Sequence, residues 1–208
     1  VGPLSWLALR LGIEGEEGKT LRLFALMFWL SLGSAAMKSA QAGIFLAHHG
    51  REVIPWAFAV SAVVLAAVAS WMVAETGRRG PVAVAVGSLA GSGAAVGGLW
   101  VLLGQGGGWA PFVVYVVLDV VQSLVTLHGW GLVGEAVSPR TARAILPLVG
   151  IGANGAWVVA GAGMPWVLGH AGARGLLLVA AGVRGGGALG LAWVASRDVE
   201  QRPAAGAA

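Results

Sequence analysis

Two charged residues lie deep inside otherwise apolar stretches of this 208-residue chain, and they carry opposite signs. Lys38 sits in Leu21–Leu46, LRLFALMFWLSLGSAAMKSAQAGIFL, and Asp119 sits in the apolar run that opens after Ala110. An ammonium near the centre of a bilayer costs roughly 2.5 to 3.5 kcal/mol on insertion scales, so each charge calls for a partner or a water-filled cavity. Ser31, Ser34, Lys38 and Gln41 recur at i, i+3, i+7 and i+10, which puts them in one helical stripe, leaving Phe24, Met27, Phe28 and Leu32 for lipid or packing. Around the aspartate, Tyr115, Asp119, Gln122, Ser123 and Thr126 form a second stripe at i−4, i, i+3, i+4 and i+7. Lys38 lies about eight residues before one end of its span and Asp119 about nine after the start of its own, roughly 12 to 14 Å down at 1.5 Å per residue. The matched depth allows an ion pair that an anionic substrate could open by competing for Lys38. Two readings follow: a polar cavity that binds substrate, or a structural arrangement in which Lys38 snorkels to the interface and Asp119 pins two helices.

The helices that must carry these residues are transmembrane. Hydrophobic residues make up 57% of the chain and charged residues 11%, and mean hydropathy is +0.81, values that belong to a polytopic, all-α membrane protein. A run of 26 residues such as Leu21–Leu46 is long enough to cross a core of about 30 Å. The 35 glycines suit close helix packing in a bilayer rather than disorder. Absence of cysteine removes disulfides, iron–sulfur ligation and thiol catalysis. A basic balance, 13 Lys and Arg against 9 Asp and Glu, reports membrane topology here and not nucleic-acid binding.

In order, residues 1–20 read as a cytoplasmic interfacial segment, since no basic stretch and cleavage site frame a signal peptide. Six spans are expected in a bundle over residues 21–195: Leu21–Leu46, Ile54–Ala74, Pro81–Leu103, Ala110–Val133, Ala144–Leu168 and a sixth that follows the turn Gly169–Arg174 and ends near Val194. Residues 196–208 form a polar tail. Arg10, Lys19, Arg22, Arg78, Arg79, Arg140, Arg143, Arg197 and Arg202 then fall on one side, against Arg51 and Arg174 on the other. By the positive-inside rule both termini are cytoplasmic, in a bacterial inner membrane. Arg184, in the sixth span, has no acidic neighbour on its own helix; packing, lipid contact or a partner chain would each account for it.

Other motifs lose their meaning in this context. Gly150-Ile-Gly152-Ala-Asn154-Gly155 matches a dinucleotide fingerprint, yet no strand precedes it and no acidic residue follows some 20 positions on, so helix packing explains it better. His48 and His49 are adjacent rather than i, i+4, which argues against a metal. No catalytic triad or acid–base pair is visible and the loops are too short for a catalytic domain, so neither an enzyme nor a cofactor is expected. The tryptophans, including Trp56, Trp71, Trp100, Trp109, Trp166 and Trp193, cluster near span ends as interface anchors.

With both ends inside and polar stripes on the first and fourth spans, the chain resembles one half of a major-facilitator transporter. Glu75-Thr-Gly77-Arg78-Arg79 is similar to that superfamily's acidic-then-Gly-Arg-Arg signature. A narrower likeness is carried by Met37-Lys38-Ser39, Gly50-Arg-Glu-Val-Ile54-Pro55, Trp130-Gly131, Glu135, Arg140-Thr-Ala-Arg143 and Leu148-Val-Gly150-Ile-Gly152-Ala-Asn154. These resemble the nucleotide-transporter family, the ADP/ATP translocases of plastids and intracellular bacteria. The resemblance implies antiport of an anionic small molecule, ATP/ADP or another organic anion. It assigns function to Lys38 and Asp119; with Gln41, Tyr115 and Gln122 of the two polar stripes and Asn154, these are the candidate substrate-binding or gating residues. It also implies a second six-helix half, from a homodimer partner, another chain or further sequence of the same protein, within the lipid bilayer. Ala35, Ala36 and Ser39 stand where that family carries an arginine and acidic neighbours, which favours the alternative of a non-transporting anchor or assembly module that keeps the bundle.

Overall fold

A computed structural model describes residues 16–200, in which long helices joined by short turns make up the fold. They are α1 (Glu17–His48), α2 (Ile54–Arg79), α3 (Pro81–Gly104), α4 (Ala110–Ala136) and α5 (Ala142–Glu200), with a 3₁₀ turn at Arg51–Val53. All five are long and apolar enough to cross a membrane. Proline at the first or second position opens α2, α3 and α4, where its missing N–H costs no helical hydrogen bond. The interfacial segment expected before residue 16 and most of the expected tail lie outside the described residues.

Several boundaries differ from the expected ones. Glu75–Arg79, read from sequence as a loop, is the last turn of α2, because Glu75 sits one turn before the two arginines and pairs with them. Gly80, at φ 83°, then ends the helix. The expected turn Gly169–Arg174 shrinks to a single non-helical residue, Gly172, at φ 65° and ψ 177°. Only glycine takes that conformation cheaply, so one residue divides α5 into arms 142–171 and 173–200. The arms run in opposite directions along α1. A side chain at Gly152 would meet Phe24 and one at Gly43 would meet Ala173, whereas Gly33 lies against Val183 and Leu30 against Gly187.

The core is built around α1 and α4. Half of the most apolar window of each is buried, against 17% for α2. Met37, Ala40, Val96, Leu118, Leu176 and Leu177 centre the larger cluster. Met27, Leu30, Leu89, Val125, Val133 and Ile145 centre a second. Glycines bring the helices close: Gly152 sits 2.9 Å from the carbonyl oxygen and ring of Phe24, measured from where a Cβ would stand, and Gly129 sits against Met27 and Leu30. The fingerprint-like stretch is thus a packing motif at Gly152, while Gly150 and Gly155 face open space. Trp56, Trp71, Trp109 and Trp166 are more than 60% exposed, as interface anchors require.

Candidate functional site

The α1–α4 seam positions the candidate residues. These helices pack antiparallel, with Phe45 beside Phe112 and Tyr115 at one end and Met27 and Leu30 beside Gly129 at the other. Between these limits Lys38 and Asp119 come level, and Lys38 Nζ donates to Asp119 Oδ1 at 3.0 Å. Ten residues separate Lys38 from the His48 end of α1, about 15 Å of helix. The matched depths read from sequence correspond to a contact.

One turn further along α1, Gln41 Nε2 donates to the Tyr115 carbonyl at 2.8 Å. That bond ties α1 to α4 directly beside the pair. Gln41 Oε1 and Gln122 Oε1 are buried acceptors without a donor. An aromatic wall closes one flank. The Lys38 ammonium stands 5.7 Å from the Phe58 ring centroid and 5.8 Å from that of Tyr115, within cation–π range. Tyr115 in turn meets Phe45 at 4.6 Å and Phe58 edge-on at 5.8 Å. Phe58 was not marked by sequence reasoning, since nothing in the chain shows where α2 crosses the seam, and Phe45 reads in α1 as one more apolar residue of its span.

The pair is open rather than sealed. Lys38 retains 38% of its side-chain exposure and Asp119 20%. Of the three N–H donors of the ammonium one reaches Asp119, so two are available to a second anion. A phosphate or carboxylate arriving there would compete with Asp119 for the same charge. The carboxylate, repelled by the newcomer, would then be free to change partner. That is the chemistry of an anion gate.

Other predicted residues fall elsewhere. Ser34, expected in the Lys38 stripe, serves the second arm of α5 instead of α4: its hydroxyl accepts from Arg184 Nη2 at 3.3 Å. Asn154 is exposed on the first arm of α5 and joins none of these groups. Ser123 Oγ and Thr126 Oγ1 donate to carbonyls of their own helix, so neither points a free hydroxyl proton at the pair. Arg184 is the residue that sequence reasoning left without a role. It is 1% exposed, its Nε donates to Met37 Sδ, and Nη1 is buried without a partner. Neither of its partners is a carboxylate. The arginine clamps the second arm of α5 to α1 immediately before Lys38, aided by Trp29 Nε1, which donates to the Val183 carbonyl at 2.6 Å.

No family model, curated protein or solved structure matches this chain. Its likeness to nucleotide transporters therefore rests on the residues quoted from the sequence alone.

Proposed function

We propose that this protein is half of a secondary transporter of the major-facilitator kind, with an organic anion, nucleotides among the candidates, as its substrate. In this reading the two arms of α5 count as separate spans, giving six with both termini cytoplasmic in a bacterial inner membrane. Lys38 meets the anionic group, Asp119 is its counter-ion and gate, and Gln41 with Tyr115 frames the site. The observation that carries the reading is the Lys38–Asp119 pair at mid-depth on an accessible face. A charge pair with a side chain 38% exposed cannot face hydrocarbon cheaply, so the face belongs against water or a second bundle. Alternating access supplies both, one bundle rocking against another across a midplane site. The second bundle is a further copy of this chain, a separate chain, or further sequence of the same protein.

Lys38→Ala tests it. The variant is expected to retain the monodisperse, helical wild-type fold and to lose exchange of nucleotides and other organic anions in proteoliposomes. Unchanged exchange by the variant, where the wild type is active, would remove Lys38 from the path. A second reading, a non-transporting anchor or assembly module, has one observation in its favour: a groove of about 400 Å³ in the bundle is lined by neither Lys38 nor Asp119. In that case wild type and variant alike carry no anion.

A further inference from the structure

The last turn of α2 carries two arginines and one carboxylate. Glu75 pairs closely with Arg79 and lies 4.0 Å from Arg78, so one guanidinium is left in surplus. Both arginine side chains are largely exposed, 81% and 72%, whereas Glu75 is 16% exposed. A groove of about 400 Å³ starts at this rim and runs between α2 and α3 over α4. Beyond Glu75 and Arg79 its walls are mainly apolar, with Val68, Met72, Val84 and Leu124 facing it. The Ser92 hydroxyl in the wall donates to the Leu89 carbonyl, which leaves an apolar surface for an occupant. Gly87 and Gly91 keep the α3 side open, since a Cβ at either would meet nothing within 4 Å.

Length identifies the occupant. From Arg79 to Val68 the groove follows eleven residues of helix, about 16 Å at 1.5 Å per residue, and one leaflet of the hydrocarbon core is about 15 Å deep. A cationic mouth at the interface, followed by an apolar trench one leaflet long, has the dimensions of a single phospholipid. We propose that this groove is a binding site for an anionic phospholipid, its phosphate at Arg79 in the mouth, one acyl chain along α3, and the surplus charge supplied by the exposed Arg78 one residue before Arg79, outside the lining. The surplus charge selects against a zwitterionic headgroup, whose cation would meet Arg78. The site is separate from the Lys38–Asp119 pair and does not depend on transport.

Native mass spectrometry of the purified full chain, offered equal dioleoylphosphatidylglycerol and dioleoylphosphatidylcholine, tests this. The wild type should retain the glycerol lipid with a preference of about fivefold, the order expected for one net basic charge at the membrane surface. Arg78→Gln removes the surplus charge, leaves the Arg79–Glu75 pair, and should bring the preference near parity. Gly87→Leu with Gly91→Leu fills the trench, keeps both arginines, and should lower retention of both lipids; circular dichroism and gel filtration would verify the fold. Equal retention by the wild type, an unchanged preference in Arg78→Gln, or unchanged retention in the filled variant each overturns the proposal. So does a wild type that retains neither lipid and self-associates through this face, since the groove would then seat a helix.

Discussion

A lysine with one carboxylate for company, at mid-depth in a helix, is held by a balance that single substitutions should expose. Removing either partner leaves the other charge without compensation, and in a buried setting that costs several kcal/mol. The partial exposure of both side chains moderates this, so Asp119→Asn should destabilise by about 1 to 3 kcal/mol. Lys38→Met combined with Asp119→Asn should recover part of that loss. A double-mutant cycle on thermal unfolding in lipid would read the coupling; additive effects would mean that the 3.0 Å contact contributes nothing. Spacing and depth made this pair legible in the sequence, because both charges were anomalies in apolar runs. Arg184 was equally anomalous, but its neutral partners were not readable. Ser34 and Met37 lie about 150 residues away and are brought to it only by the packing of the second arm of α5 on α1.

At the scale of the helix, glycines decide how closely the elements approach, and not all of them act. Gly152 touches the Phe24 backbone and ring, whereas Gly150, two residues earlier, faces open space. Gly152→Leu should therefore cost about 1 to 3 kcal/mol through overpacking between α1 and α5, while Gly150→Leu should be nearly neutral. Thermal midpoints of the two variants in the same detergent would show the contrast, and equal losses would mean that the stretch is not a contact motif at Gly152. The apolar runs made the existence of α1 to α4 plain, with ends displaced by a few residues. The polar stripe of α1 was only half legible. Its periodicity is real, yet Lys38 and Gln41 serve α4 while Ser34 serves α5, because two neighbours share one flank of the same helix.

At the scale of the molecule, the reversal at Gly172 sets which end of the bundle holds each turn. The turns near Arg51 and Gly172 should lie on one side of the membrane, and those near Arg78 and Arg140 on the other. The chain has no native cysteine, so single cysteines at positions 51, 78, 140 and 171 would test this with an impermeant maleimide on intact and opened vesicles. Positions 51 and 171 should label together, and 78 and 140 only from the opposite side; 171 labelling with 78 would refute the crossing of the first arm of α5. By itself the sequence determined that the chain is a membrane-type helical protein, roughly where its helices lie, and that Lys38 and Asp119 are its costly charges. These follow from composition and from local periodicity, which act over a few turns of chain. Only the tertiary structure decided that the two charges meet, that Phe58 and Tyr115 wall them, that Asn154 stands apart and that an arginine-rimmed groove opens between α2 and α3. Those depend on which helix faces which, and helices equally apolar on most sides carry little in their own sequence to choose their neighbours.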